Sequence, residues 1–176
     1  MIFVTVGSAD PFDRLVRAVD VWAGLRGRAD VFVQVGRSDY QPEHIEVVQF
    51  LDPSEFRDRV RSSRFVVSHA GMGSIITALE LGKPIVVMPR RAHLGETRND
   101  HQVSTVNHLK LRPGIIVATD EQELFLKLDQ AETTSTTSPI SAEASPLLIS
   151  TVRDFIEGIQ TIMPLKSDKK NRVPDT

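Results

Sequence analysis

Residues 66–89 of the sequence read VVSHAGMGSIITALELGKPIVVMP, and this stretch decides the fold. Two short apolar runs, RFVVS at 64–68 and PIVVMP at 84–89, have the composition of buried strands. Between them lies an apolar helical segment that runs to Leu81, followed by a stop at Gly82 and a turn at Lys83-Pro84. The order of strand, helix and strand predicts two parallel strands joined through a helix.

The same alternation of strands and helices extends from this stretch toward both ends of the chain. Strands are predicted at 2–6, 31–35, 45–51, 64–68, 84–89 and 115–118. The strands show little internal alternation of apolar and polar residues, so both of their faces are expected to be covered. The predicted fold class is therefore α/β, a Rossmann-like parallel sheet with helices on both faces.

The predicted helices carry recognisable signals at their N-termini. Asp10-Pro11 and Asp52-Pro53 each offer an N-cap followed by a first-turn proline. Thr119 with Gln122, three residues later, resembles a capping box. In the first helix, apolar residues recur at three- and four-residue steps and leave Asp20 on the other side. This spacing predicts a buried stripe of Phe12, Leu15, Val16, Val19, Trp22 and Ala23.

The composition changes after residue 130. The segment AETTSTTSPISAEAS at 131–145 is rich in serine and threonine and has no periodicity, which is typical of a flexible linker. Residues 147–160 return to helical spacing with apolar residues on one side. The predicted organisation is a Rossmann-like domain at 1–130, a linker at 131–146, an amphipathic helix at 147–162 and a flexible tail at 163–176.

The composition of the whole chain excludes several classes of function. The 176 residues carry a net charge of −2, so there is no overall electrostatic reason to expect a nucleic-acid partner. There is no cysteine, which removes disulfides, thiolate metal sites and cysteine nucleophiles. With no signal-like start and no apolar run of membrane-spanning length, we expect a cytoplasmic location.

The glycine-rich turn is the strongest candidate for a binding site. Ligands of parallel α/β sheets bind beyond the carboxyl ends of the strands, where residues 69–74 are expected. Gly71 and Gly73 allow the backbone to approach a ligand, and the helix that begins there offers free N–H groups to a phosphate. His69 and Ser74 add side-chain donors. The alternative is that the glycines only form a tight strand-to-helix turn.

Other motifs for nucleotide binding or hydrolysis do not fit. The dinucleotide fingerprint needs a third glycine, but Ile76 stands at that place. Gly82-Lys83 is followed by Pro84 rather than by the hydroxyl residue of a P-loop. Ser74 lacks the flanking residues of a nucleophile elbow. The sequence has no Asp-x-Asp pair, and its other histidines lack metal-like partners, so no metal is predicted.

Five segments together make the sequence recognisable: VTVGS at 4–8, QVGRSDYQP at 34–42, SHAGMGS at 68–74, ELGKP at 80–84 and NDHQ at 99–102. In this order they resemble the glycosyltransferase family 28 C-terminal domain. The resemblance is strongest to small catalytic subunits of two-chain enzymes, the Alg13 type of the dolichol pathway and the bacterial PssE and EpsE type. It spans about residues 1–125.

The resemblance implies the donor-binding half of a GT-B glycosyltransferase, in which two Rossmann domains face each other across a cleft. It implies that the glycine-rich loop binds the diphosphate of a UDP-sugar, with His69 as the catalytic residue and no metal or other cofactor. The first loop lies near the same phosphates, and the NDHQ run holds the sugar. The donor-site residues that follow from the match are Gly7, Ser8, His69, Gly71, Met72, Gly73, Ser74, Thr77, Asp100, His101 and Gln102.

One position departs from the family pattern. Many GT-B relatives have a glutamate that binds the uridine ribose at the place where this chain has Thr77. A threonine hydroxyl still forms a hydrogen bond, so we expect a weaker ribose contact and retain UDP as the nucleotide.

The loop RRAHLGETR at 90–98 concentrates positive charge directly after a predicted strand. One interpretation is a solvated surface loop. The other is that an arginine among Arg90, Arg91 and Arg98 pairs with a carboxylate on the donor sugar, because a guanidinium matches a carboxylate with two hydrogen bonds. That interpretation favours UDP-glucuronic acid as donor.

The function hypothesis is a donor-binding catalytic subunit that transfers a hexose or hexuronic acid to a lipid-linked saccharide in exopolysaccharide biosynthesis. The resemblance implies that the general base comes from a membrane-anchored acceptor-binding subunit of the Alg14 or PssD type. That partner would recruit the chain to the inner face of the membrane. The alternatives are a nucleotide-sugar-binding or regulatory subunit without turnover, and a self-sufficient homodimer.

Overall fold

The computed structural model describes residues 1–134, 138–140, 149–150 and 153. The strands are β1 (Ile2–Thr5), β2 (Val31–Gln34), β3 (Glu46–Val48), β4 (Val66–His69), β5 (Ile85–Met88) and β6 (Ile115–Val117). The helices are α1 (Asp13–Arg26), α2 (Pro53–Ser62), α3 (Met72–Glu80), α4 (His101–Leu109) and α5 (Glu121–Glu132), with a 3-10 helix at Ala92–Leu94.

The six strands form one parallel sheet in the order β3-β2-β1-β4-β5-β6. The predicted fold class is confirmed. Because the strand order reverses between β1 and β4, the loops that leave these two strands diverge and open a crevice at the carboxyl edge. Thr5 of β1 pairs with Ser68 of β4 at that edge.

Two apolar layers cover the sheet, one on each face. On one face, α1 and α5 pack against the sheet through residues such as Val19 and Leu124. On the other face, α2, α3 and α4 contribute Val60, Ile75 and Val106. All six residues of the predicted α1 stripe are buried. The predicted core position of Trp22 is confirmed, and its indole N–H donates to Asp129 Oδ1 at 2.9 Å.

The predicted helix starts are partly wrong. The Asp52 cap is confirmed, since its carboxylate accepts from the Ser54 and Glu55 amides at 2.9 Å each. The predicted start at Asp10-Pro11 is wrong, because α1 begins at Asp13 with Phe12 in the N-cap position. The capping pair predicted at Thr119 and Gln122 is shifted by one residue. Asp120 is the N-cap of α5 and accepts from Glu123 N at 2.8 Å.

Asp20 lies on α1, outside the apolar stripe, but the structure buries it. Its carboxylate accepts from Tyr40 Oη at 2.7 Å, from Glu43 N at 3.0 Å and from His44 N at 2.8 Å. Burial acts to raise the pKa of Asp20, but these hydrogen bonds outweigh it and lower the pKa. The irregular segment between β2 and β3 is thereby fastened to α1.

The chain divides into two compact units, 1–140 and 141–176. In the first unit, α5 extends to Glu132, two residues into the segment predicted as a linker. Ile140 N donates to Leu79 O at 3.1 Å. The predicted helix at 147–162 and tail at 163–176 lie outside the described residues, apart from Ile149, Ser150 and Arg153, which are helical. No helix in the described part is long and apolar enough to cross a bilayer.

Candidate functional site

The crevice between β1 and β4 is built on a row of buried polar side chains. Thr5, Gln34 and Ser68 stand near the carboxyl ends of neighbouring strands and are buried. The Thr5 hydroxyl donates to Gln34 Oε1 at 3.0 Å and accepts from Gly7 N at 3.1 Å. Gly7 adopts a φ of 79°, in the left-handed region that favours glycine. These contacts fix the course of the loop after β1.

The His69 ring lies between Gly7 and Gly71 and leaves no room for a side chain at either position. A Cβ at Gly71 would stand 2.1 Å from His69 Nε2, and a Cβ at Gly7 would stand 2.8 Å from Cε1. Gly71 itself has an extended backbone, with φ −86° and ψ 131°, that any residue adopts. The turn alone therefore does not require glycine at position 71. The requirement comes from the imidazole, which brings the two loops of the crevice together.

The His69 imidazole is neutral at physiological pH. Burial lowers its pKa to about 4, and the positive charge of Arg90 and the neighbouring His101 act in the same direction. A hydrogen bond with the Thr5 backbone acts in the opposite direction. A neutral imidazole still carries one N–H donor and one acceptor nitrogen. The neutral ring has a single N–H, so it donates either to the Thr5 backbone or to a bound anion, and not to both.

The N-terminus of α3 lies next to this histidine and has no side-chain cap and no acidic residue in its first turn. The amides of Met72, Gly73 and Ser74 have no acceptor within the helix, because of their place in its first turn. The space beside Gly73 is open, with no atom within 4 Å of an added Cβ. The arrangement offers several backbone donors and the positive end of a helix dipole.

The hydroxyls of α3 differ in their availability. Ser74 is buried, and its hydroxyl has no hydrogen-bond partner in the described part of the chain. The Thr77 hydroxyl donates to Gly73 O at 2.9 Å. The proton of Thr77 is therefore already used within the helix, which leaves only an acceptor oxygen for a ribose hydroxyl.

The start of α4 brings the NDHQ run to the same edge of the sheet. Gln102 is buried, and its Oε1 accepts from Arg90 N at 3.1 Å, which leaves the amide NH2 group as a donor. Asp100 is exposed and its Oδ1 accepts from Ala92 N at 2.9 Å. His101 is also exposed, and its Nδ1 contacts the Asn99 side chain. Of these predicted sugar contacts, Gln102 is the one fixed by burial.

Arg90 is the residue that the sequence interpretation did not place correctly. It is only 3% exposed, and its Nη2 donates to Val6 O at 2.8 Å and to Asp10 O. Its guanidinium carbon lies 5.1 Å from the centroid of the Phe12 ring. The side chain therefore contributes to the crevice from inside rather than to a solvated loop. The nearest signal in the sequence is that Arg90 follows the buried strand β5 after only Pro89.

Ser8 lies in the same loop, beyond Gly7, and is exposed. The loops after β1 and β4 and the start of α4 thus bring the predicted site residues to one edge of the sheet. Within the described residues, no group of three or more histidine and carboxylate side chains is arranged to hold a metal ion.

Comparison with known proteins identifies relatives of the chain. The glycosyltransferase family 28 C-terminal domain matches residues 1–156. The human protein named UDP-N-acetylglucosamine transferase subunit ALG13 is 32% identical over 118 residues, which cover 61% of this chain and 10% of the human protein. The Yarrowia lipolytica protein of the same name is 27% identical over 141 residues, which cover 72% of this chain and 69% of that protein. The chain thus spans about a tenth of the human relative's length.

Two solved structures share the fold. An NMR solution structure of ALG13 has a TM-score of 0.54 and 21% identity, with 89% of this chain and 96% of that chain covered. The crystal structure of the glycotransferase of kitacinnamycin has a TM-score of 0.51 and 19% identity, with 76% of this chain and 35% of that chain covered. Together with the family match over most of its length, these findings show that the chain belongs to the glycosyltransferase family 28 C-terminal domain family.

Proposed function

We propose that the chain is the donor-binding catalytic subunit of a glycosyltransferase that uses a UDP-sugar. The observation that carries the proposal is the position of the His69 imidazole. It lies between Gly7 and Gly71, beside the uncapped N-terminus of α3, at the point where the strand order reverses. Imidazole and backbone donors at that point suit a diphosphate.

The chemistry of sugar transfer needs this kind of site. When the bond between the sugar and UDP breaks, negative charge builds up on the leaving diphosphate. Fixed donors that point at this charge stabilise the transition state and take the place of a metal ion. In this proposal the single N–H of neutral His69 donates to the diphosphate in place of the Thr5 backbone, and the amides of Met72, Gly73 and Ser74 supply the remaining hydrogen bonds. The proposal needs no cofactor beyond the UDP-sugar itself.

The general base of the reaction is assigned to a partner chain. His69 has a pKa of about 4, so it is a weak base at neutral pH. We therefore propose a membrane-anchored acceptor-binding subunit that supplies the base and brings the chain to the inner face of the membrane. The relatives named as transferase subunits support a two-chain enzyme. The proposed acceptor is a lipid-linked saccharide in exopolysaccharide biosynthesis.

The donor sugar is proposed to be a hexose or a hexuronic acid. Among the three arginines of the loop at 90–98, Arg90 binds the loop after β1 and Arg91 contacts Thr119 O. Arg98 is exposed, and its guanidinium has no hydrogen bond or ion pair with the described residues. It is the arginine available for a sugar carboxylate. An Arg98→Met variant should then lower activity with UDP-glucuronic acid and leave UDP binding unchanged.

The proposal is tested by co-expression with a candidate membrane-anchored acceptor-binding subunit and by assay with radiolabelled UDP-sugars. The donor panel contains UDP-glucose, UDP-galactose, UDP-N-acetylglucosamine and UDP-glucuronic acid. Transfer that needs both chains and is lost in His69→Ala supports the proposal. UDP-sugar binding without transfer would instead support the regulatory alternative, and transfer by the isolated chain would support a homodimer. Full activity of His69→Ala would overturn the assignment of the loop.

A further inference from the structure

Arg90 is a buried cation without an ion-pair partner in the described part of the chain. Its side chain is almost fully buried, and its Nε has no hydrogen-bond partner there. The Asp10 and Glu96 carboxylates lie near enough to raise its pKa, but burial has the larger effect and lowers it. Burying a charge with incomplete compensation is costly for a folded protein. A cation kept in this position calls for an explanation other than stability.

The contacts of Arg90 join separate parts of the crevice. Its Nη2 holds the loop after β1 at both ends, through Val6 O at 2.8 Å and Asp10 O. Its backbone N–H holds the Gln102 side chain at the start of α4. Its charge also acts on His69, the last residue of β4. Arg90 therefore contacts the loop after β1 and the start of α4, and its charge acts on His69 at the end of β4.

We propose that Arg90 is a positioning residue for the donor. Its guanidinium sets the loop that contains Gly7 and Ser8, and its backbone amide fixes the Gln102 side chain. The inference rests on the proposed function, because it names the residue that joins the diphosphate end of that site to its sugar end. A bound diphosphate would also offset the uncompensated charge of Arg90, so donor binding and the cost of this buried cation are linked.

The orientation of Gln102 has a consequence for sugar recognition. Because its Oε1 is occupied by Arg90 N, the side chain presents its NH2 group to a ligand. Gln102 is then expected to donate to a sugar oxygen rather than to accept from a sugar hydroxyl.

The test compares Arg90→Met with Arg90→Lys and with a remote control. Arg26→Met is the matched control, since it removes one arginine charge from an exposed pair with Asp129 at the far end of α1. UDP is titrated into each purified full-length chain by calorimetry and by NMR of the backbone amides and the Gln102 side chain. Thermal unfolding of each variant is measured alongside.

In the wild type and in Arg26→Met, we expect UDP to shift the amides of Gly7 and Gly71 and the Gln102 side-chain signal together. In Arg90→Met, we expect UDP affinity to fall by about tenfold or more, the cost of a charge-assisted hydrogen bond. The Gly7 and Gln102 signals should then no longer respond to UDP. Arg90→Lys should restore only part of the affinity, because an ammonium lacks the planar fork of arginine.

The outcomes separate this inference from the proposed function. If the wild type does not bind UDP, the proposed function fails. If the wild type binds and folded Arg90→Met binds with the same affinity and the same coupled shifts, the positioning role of Arg90 is overturned. If Arg90→Met does not fold, Arg90→Lys decides the matter by the same two readouts. Full affinity and unchanged shifts in that variant would contradict the need for two carbonyl contacts.

Discussion

The first amides of α2 and of α3 lack acceptors within their own helices, and the two helix starts treat these amides in opposite ways. Both helices follow strands of one parallel sheet and begin at its carboxyl edge. In α2, Asp52 accepts hydrogen bonds from two free amides, Pro53 removes a third donor, and Glu55 adds negative charge to the first turn. In α3, Gly71 is the N-cap, no side chain caps the helix and no acid lies in its first turn.

The difference separates helix starts whose amides are capped by the chain itself from the one that we propose to bind the donor. The start of α2 is complete without any ligand, and the start of α5 is capped in the same manner by Asp120. The start of α3 keeps its donors available and places a half-buried imidazole beside them. The combination of free amides with His69, held by two glycines, is what separates α3 from its neighbours.

The largest expected effect comes from changing Gly71 to alanine. The backbone of Gly71 accepts alanine without strain, but the new Cβ would collide with His69 Nε2 and displace the ring. We expect UDP affinity to fall by about 30-fold or more, with little change in thermal stability. Calorimetric titration with UDP measures this effect. Unchanged affinity in a folded Gly71→Ala protein would show that the imidazole does not contribute to this site.

The second effect is a pH dependence of stability that comes from His69, beside the start of α3. The pKa of His69 is about 4 in the folded protein and about 6.5 in an unfolded chain. Because the unfolded chain binds the proton more strongly, the contribution of His69 is complete above pH 6.5 and disappears as the pH falls toward 4. After allowance for partial solvent access, we expect a loss of about 2 kcal/mol in the free energy of unfolding.

Urea denaturation between pH 4 and pH 7 measures this dependence. His69→Asn is the matched variant, since it keeps a polar side chain and cannot titrate. The difference in slope between the two proteins isolates the histidine. Parallel slopes across this pH range would mean that His69 is not desolvated in the folded state.

The third effect is a loss of stability, without a loss of UDP affinity, when the cap of α2 is removed. Asp52→Ala removes the acceptor for two amides and should lower the free energy of unfolding by about 1 kcal/mol. UDP affinity should stay at the wild-type value, because this cap belongs to a helix outside the crevice. A loss of UDP binding in Asp52→Ala would remove the distinction between the two helix starts.

The smallest effect concerns Gly73. An added Cβ meets no protein atom there, and alanine is the better helix former, so Gly73→Ala should stabilise the protein by about 0.5 kcal/mol. The same methyl group stands where a bound diphosphate would approach the amides, so UDP affinity should fall. Thermal unfolding and calorimetry test the two parts separately. A variant that gained both stability and affinity would exclude a close ligand approach at Gly73.

Local signals in the sequence were sufficient for the architecture. The apolar runs predict the strands, and the Asp52-Pro53 pair predicts the start of α2, because an N-cap depends on neighbouring residues only. The predicted start of α1 was wrong because a non-local contact sets where this helix begins. Asp10 O accepts from Arg90, a residue 80 positions away, and α1 begins only after this contact. Asp20 was misplaced similarly, since its partners lie in the segment between β2 and β3.

In the candidate site, too, features set by neighbouring residues were predictable and features set by distant residues were not. The position of His69 at a strand end follows from the pattern of the chain, but its close approach to Gly7 depends on β1 and β4 being neighbours. The partner of Gln102 was also invisible in the sequence, whereas the bond from Thr77 to Gly73 O, four residues earlier in α3, is local. Each of these side chains has part of its hydrogen-bonding capacity occupied, and only the three-dimensional structure shows which part remains.

The attachment of Asp20 has a consequence for local motion. The connection from β2 to β3 is the one in the described sheet that contains no helix, and two carboxylates, Asp13 and Asp20, hold it to α1. A segment with so few anchors can open while the sheet stays intact. Hydrogen exchange at the amides of Glu43 and His44 should therefore be faster than at the central strands. It would report detachment of this crossover rather than global unfolding.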